Sequence, residues 1–155
     1  MALAIPVPAP EAAHAADLAQ SFWQRAAELG ALDEQQRLAA IERGWSSSWL
    51  AALRQNLHLK PVELEPLLAL SEATMARRTR EQVALDLVAS ERLDRLVEVI
   101  SMAYGVFEQP ASTEAWLKAP HPLLHQISPL QHCRTSIGAG QVRRLLQALE
   151  QGAPA

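Results

Sequence analysis

The chain has 155 residues, 49% of them hydrophobic and 20% charged, with a formal net charge of −3. That length excludes a large multidomain enzyme and allows one respectable core or two small ones. The acidic balance excludes a generic nucleic-acid coat protein, whose phosphate binding shows as a basic surplus, so any DNA contact has to be local.

Six glycines and one tyrosine stand among long stretches rich in Leu, Ala, Glu, Arg and Gln. Such a composition disfavours strands and predicts an all-α fold. The single cysteine, Cys133, cannot close an intramolecular disulfide, and no Cys/His spacing matches a tetrahedral zinc site. The expectation is therefore no metal, no cofactor and a reducing cytoplasmic setting. Basic residues begin only at Arg25, and no apolar run approaches the roughly 18 residues that span a bilayer, so neither a secretory signal nor a membrane segment is expected.

In chain order, residues 1–16 carry three prolines among small side chains and predict a mobile tail. Leu18, Phe22, Trp23, Ala26 and Leu29 then recur at helical spacing, with Gly30 as a stop. A short helix follows, with Asp33 as N-cap and Leu38 and Ile41 on one face, before Gly44. Ser46, Ser47 and Ser48 offer N-caps for a helix carrying Trp49, Leu50, Leu53 and Leu57. Leu64, Leu67 and Leu68 precede a turn at Leu70 and Ser71, and Ser71 caps a helix holding Met75, Arg77, Arg78 and Arg80. Pro66 interrupts the first of this pair, which must be kinked or very short.

The longest element starts near Ser90 and places Leu93, Leu96, Val97, Ile100, Ala103, Tyr104 and Phe107 on a core stripe. Pro110 ends it, Ser112 or Thr113 restarts a helix through Trp116 and Leu117, and Pro120 and Pro122 force an extended connection. A brief turn spans Ser128 to His132. Val142, Leu145, Leu146 and Leu149 mark an amphipathic terminal helix ending near Gly152.

The helix from Glu72 to Glu81 places three arginines where a helix-turn-helix would present its second helix to the major groove. Thr74, beside Glu72 and Ala73, stands where base edges are reached, and Arg77, Arg78 and Arg80 stand where phosphates are held. A solvated arginine face is the alternative meaning of that run. His121, His125, His132 and Cys133 match no ligand signature and have no nearby carboxylate to orient them, so neither a metal nor a nucleophile is assigned. Gly138 and Gly140 read as a flexible lead into the last helix rather than a phosphate cradle. Of the four tryptophans, Trp23, Trp45 and Trp49 read as core, and Trp116, beside two prolines, as an interface anchor.

Residues Ser112 to Gly152 resemble the toxin-binding domain shared by Xre, MbcA and ParS antitoxins. The resemblance lies in Ala115-Trp116-Leu117, in Pro120 and Pro122 followed by Leu124, in Ser128-Pro129-Leu130, in the glycine at 138 or 140, and in a terminal helix with Val142 and Leu146 closing on Gly152. Gly44-Trp45, Trp49-Leu50 and the stretch from Leu64 to Arg78 resemble the Xre-type helix-turn-helix of the same antitoxins. The sequence departs from that pattern at Ala69, where a turn glycine is usual, at His121 between the prolines, and at Gln151-Gly152, where many members end in His-Gly.

The resemblance implies a non-enzymatic antitoxin of a type II toxin–antitoxin system. Its partners would be a RES-domain toxin that degrades NAD, operator DNA and a second copy of the chain, and the complex would repress its own operon. Trp116, Pro120, His121 and Pro122 would form the docking surface, while Glu150, Gln151 and Gly152 would fill or cap the toxin's NAD pocket. The implied organisation is a tail at 1–16, helices at 17–43, an Xre-like domain at 44–88 and a toxin-binding domain at 89–155. The alternatives are a stand-alone helix-turn-helix regulator and a protein adaptor without DNA binding.

Overall fold

The computed structural model describes residues 21–154, and the expectations for the tail and for Leu18 fall outside them. In chain order the helices are α1 (residues 21–30), α2 (Glu34–Arg43), α3 (Ser48–Asn56), α4 (Pro61–Leu68), α5 (Glu72–Glu81), α6 (Leu87–Phe107), α7 (Pro110–Lys118), α8 (Pro129–His132) and α9 (Ser136–Glu150). A single 3-10 turn, Pro122–Leu124, joins α7 to α8. Among the described residues the fold is all-α, with no strand beyond an isolated bridge between His121 and Ile127. No described helix is long and apolar enough to cross a membrane.

The helix boundaries follow from local chemistry. Asp33 and Gln36 form a reciprocal capping box at the start of α2, and Ser71 accepts the Thr74 amide at the start of α5. The long helix α6 begins at Leu87 rather than near Ser90, because Asp86 accepts the Ala89 amide and so caps it a turn earlier. Likewise α7 begins at Pro110 and not at Ser112 or Thr113, since proline at the first helical position loses no helical hydrogen bond. Thr113 is buried within α7, its hydroxyl donating to the Gln109 carbonyl at 2.8 Å.

α6 is the central element, packing against α2, α4, α7 and α9. Leu93, Leu96, Val97 and Ile100 are almost wholly buried along it, each burial being worth about 2 kcal/mol. Around its carboxy-terminal half the aromatics close the core. Trp23 of α1 stacks on Tyr104 at 5.2 Å, and Phe22 meets Trp23 edge-on at 5.1 Å and Trp49 at 6.0 Å. Leu38, placed on the inner face of α2 by its spacing, is instead 50% exposed. The helix is rotated so that Ala40 takes the buried position, which brings Arg37 against α6.

The stretch between α2 and α3 is tied to the start of α6. Leu85 donates its amide to the Trp45 carbonyl at 2.9 Å, and Ser90 Oγ accepts the Trp45 amide at 3.0 Å. A Cβ at Gly44, where φ is +88°, would stand 2.7 Å from the Leu85 carbonyl oxygen, so glycine is required there twice over.

Candidate functional site

Two regions carry the candidate residues. In the first, α4 and α5 meet through a tight turn at residues 69–71, the arrangement of a helix-turn-helix. Pro66 is accommodated inside α4, which starts at Pro61 and stays only eight residues long. Ala69 supplies the turn in the left-handed conformation, φ 52° and ψ 40°, where glycine would be unstrained.

The four residues assigned to DNA do not form one surface. Thr74 Oγ1 accepts from the Ser71 hydroxyl at 2.9 Å, so its side chain is engaged at the helix cap. Arg78 turns inward, donating to Asp86 and to the Ala84 carbonyl, both at 3.2 Å, with 18% of its side chain exposed. Arg77 lies 3.8 Å from Glu81 on the outer face. Arg80 meets no carboxylate among the described residues, and with Arg54 it flanks a cavity of about 260 Å³ between α3 and α5, floored by Leu50 and Met75. At the amino terminus of α5 the Glu72 amide is taken by Glu65 Oε1 at 2.7 Å, so a carboxylate already holds the place an anion would seek.

The second region is built on α6 and α9. Gly138, Ala139, Val142 and Leu146 form the inner face of α9. The two glycines belong to the helix proper, capped by Thr135, and not to a flexible lead into it. A Cβ at Gly138 would come within 1.9 Å of the His132 carbonyl oxygen, so glycine there lets α8 and α9 touch backbone to backbone. Arg143 of α9 pairs with Glu98 of α6 at 3.3 Å. Cys133 is buried beside them, and burial pushes its thiol up to about 12 despite Arg143 and Arg95 nearby.

Trp116 is half-buried, packed on Phe107 at 5.5 Å and on the His121 ring at 6.0 Å. Its indole Nε1 finds no acceptor among the described residues. The proline connection is extended only through His121, whose Nδ1 accepts the Leu123 amide at 3.2 Å; the chain then closes into the 3-10 turn, where an extended link was expected. Trp116 and His121 are thus brought together, with Pro120 and Pro122 flanking His121. Glu150 ends α9, and Gln151 and Gly152 continue past it, exposed, with Gly152 at φ +91°.

Four contacts missed by the sequence reading fix this region to the helix-turn-helix side. Lys118 Nζ donates to the Leu57 carbonyl at 2.9 Å and the His58 carbonyl at 3.2 Å. His58 meets Glu114 at 2.8 Å, and Gln131 donates to the Glu63 carbonyl at 2.9 Å. No periodic signal announces such pairs, because each joins residues more than fifty positions apart.

Comparison with known proteins matches residues 102–152, from within α6 to the end of α9, to the antitoxin Xre/MbcA/ParS C-terminal toxin-binding domain. The matched segment is 51 of the 155 residues. The chain is also 29% identical over 112 residues to the antitoxin Xre of Pseudomonas putida KT2440, covering 72% of this chain and 69% of that one. It is 25% identical over 126 residues to a protein of Sphingobium sp. YBL2 named Prs ADP-ribosylating antitoxin, covering 76% and 79% respectively. The toxin-binding domain makes the chain an antitoxin of a toxin–antitoxin system, with a cognate toxin as its partner.

Proposed function

We propose that this antitoxin blocks a RES-type, NAD-consuming toxin by steric occlusion and represses its own operon as a dimer bound to DNA. The observation that carries the reading is the family match over residues 102–152, on a domain whose α6 and α9 form a rigid ion-paired unit. The name of the Sphingobium relative refers to ADP-ribosylation, and NAD breakdown and ADP-ribosyl transfer both begin by cleaving the nicotinamide–ribose bond. One inhibitory geometry therefore serves either toxin chemistry.

In this reading Trp116, Pro120, His121 and Pro122 contribute to docking, with the half-buried Trp116 ring, packed on Phe107 and His121, as the anchor. Glu150, Gln151 and Gly152 project from the end of α9 toward the NAD pocket. The antitoxin supplies no catalytic group. Its action is exclusion of substrate. The Xre-like unit at residues 44–88 and the toxin-binding unit at 89–155 divide at the start of α6, and of Thr74, Arg77, Arg78 and Arg80 it is the exposed pair, Arg77 and Arg80, that would hold phosphates, while Thr74 and Arg78 are engaged within the fold.

A second reading, an antitoxin without DNA binding, is favoured by the inward turn of Arg78 and by Glu65 capping the amino terminus of α5. Electrophoretic mobility of DNA from upstream of the operon, with and without toxin, separates the two.

The test of the antitoxin reading is co-expression with the product of the adjacent gene, scoring growth rescue and co-purification. Truncation belongs after Leu149, because Leu146 is 1% exposed and its loss would disrupt the core itself. Rescue by the full chain and its loss on truncation support pocket capping. A neighbour that is harmless alone and does not co-purify overturns the reading.

A further inference from the structure

Ile137 and Leu123 are the two most exposed large hydrophobic side chains among the described residues, at 76% and 72%. Both fall within the segment matched to the toxin-binding domain. Leu123 lines a cavity of about 260 Å³ between the 3-10 turn and α9, together with Leu124, Gln141, Arg144 and Leu145. Ile137 stands one helical turn before Gln141.

On α9, Ile137, Gln141, Arg144 and Ala148 recur at steps of four, three and four and so share one face. The buried residues Ala139, Val142 and Leu146 occupy the opposite side. No rotation of α9 could bury both sets against α6, so Ile137 is an apolar residue on an outer face and not a displaced core residue. The loop presenting Leu123 is equally fixed. The Leu123 amide donates to His121 Nδ1 at 3.2 Å, the Gln126 amide to the His121 carbonyl at 3.0 Å, and the Ile127 amide to the Leu124 carbonyl at 3.1 Å. An apolar side chain held out by a hydrogen-bonded turn is ordered in advance of any contact it makes.

Charge identifies the occupant's chemistry. Arg143 is turned back to Glu98, whereas Arg144, at the edge of the cavity, meets no carboxylate among the described residues. A partner seated here would bring apolar surface for Leu123 and Ile137 and a carboxylate for Arg144.

We propose that the stripe of Leu123, Ile137, Gln141, Arg144 and Leu145 is the surface on which the cognate toxin docks, through an apolar patch edged by acidic side chains. The proposal rests on the toxin-binding reading above. It places the centre of the interface on the outer face of α9 and leaves its tip, Glu150 to Gly152, to cap the pocket.

The experiment compares the full chain with Leu123→Asp, Ile137→Asp and Arg144→Glu for affinity to the toxin encoded beside it, by calorimetry. Val62→Asp, at a site 69% exposed on α4, is the control. At these exposed positions a carboxylate stays solvated, and thermal melting verifies that each variant folds. The expected result is binding weakened about tenfold or more by each stripe variant, with Val62→Asp unchanged. Leu123→Asp and Ile137→Asp binding within about twofold of the parent, while the parent binds and rescues growth, would overturn the proposal alone. Failure of the parent itself to bind or rescue overturns the antitoxin reading beneath it. Sedimentation of the toxin-free chain covers one further outcome: dissociation of a dimer by Ile137→Asp at unchanged toxin affinity would assign the stripe to a second copy and overturn docking there.

Discussion

Arg37 of α2 places Nη2 2.6 Å from Oδ2 of Asp94 on α6, and its Nε donates to the other carboxylate oxygen at 3.3 Å. The same guanidinium reaches Glu98 at 3.0 Å, and Glu98 receives Arg143 of α9 at 3.3 Å. Three helices are thus joined through two carboxylates on one face of α6. The hydrogen bond to Asp94 is the main influence holding the Arg37 guanidinium charged above its ordinary range, opposed in part by its burial. Asp94 is 11% exposed and Arg37 25%, so water screens the pair only in part. Asp94→Ala is expected to lower stability by about 2 kcal/mol, short of the larger loss for a fully buried pair because Glu98 still holds Arg37. Arg37→Lys, which cannot make the two-pronged contact, should lose about half as much. Urea denaturation of both variants and of the double variant measures the coupling, and independent, additive losses would show that the pair contributes nothing as a unit.

The two glycines that open α9 predict opposite results from the same substitution. At Gly138 a Cβ would overlap the backbone carbonyl of His132, which cannot move without displacing α8. Gly138→Ala should therefore cost about 3 kcal/mol or more, or prevent folding. At Gly140 the nearest atoms are the flexible ends of Arg144 and Arg143, at 3.5 and 3.6 Å. Gly140→Ala should stabilise the helix by about 0.5–1 kcal/mol. Thermal midpoints of the two variants read the difference directly, and a destabilised Gly140→Ala would mean that α9 is not helical there in solution.

The contrast also shows where the sequence is legible. Periodicity locates Leu93, Leu96, Val97 and Ile100 correctly because a helical core stripe is a property of one segment, and Asp33 and Ser71 are visible as caps for the same reason. Gly138 is misread as a flexible lead because its role depends on a carbonyl six residues earlier that only the α8–α9 corner brings close. Leu38 is misplaced because an ion pair across 57 residues, Arg37 with Asp94, fixes the rotation of α2. Of the proposed docking set, Trp116 is singled out by the family motif, whereas His121, which packs on it, stands where the sequence departs from that motif. The exposure of Leu123 and Ile137 is not, although Ile137 lies out of phase with Val142 and Leu146, a signal that periodicity does contain.

Cys133 gives a prediction in pH. Its side chain is buried, its thiol donates to the Pro129 carbonyl at 3.2 Å, and burial raises it to about 12. An unfolded chain ionises the same thiol near 8.5. The folded state therefore binds the proton more tightly, and this contribution to stability is fully present below about pH 8.5. It declines by up to about 1.4 kcal/mol per pH unit above that, until about pH 12. Cys133→Ser should flatten that part of the pH profile, as measured by urea denaturation between pH 8 and pH 10. The native thiol should also resist iodoacetamide at pH 8 and react only as fast as the chain opens. Rapid alkylation with the fold intact would contradict the buried placement.

The arginines of α5 separate folding from recognition. Arg78 is held by Asp86 and the Ala84 carbonyl, so Arg78→Ala should lower stability by about 1 kcal/mol, modest because Asp86 is half exposed. Arg80 has no carboxylate partner among the described residues, so Arg80→Ala should leave stability within about 0.5 kcal/mol. If α5 holds phosphates, removing Arg80 should reduce the dependence of log affinity on log salt by about one for DNA from upstream of the operon, equally for specific and unrelated sequences. The loss on removing Arg78 should follow the fraction unfolded and leave the slope alone. Titrations at three salt concentrations, beside denaturation of the same variants, distinguish the two residues. A slope unchanged by Arg80→Ala would take α5 off the DNA backbone, in keeping with the carboxylate of Glu65 that already occupies its amino terminus.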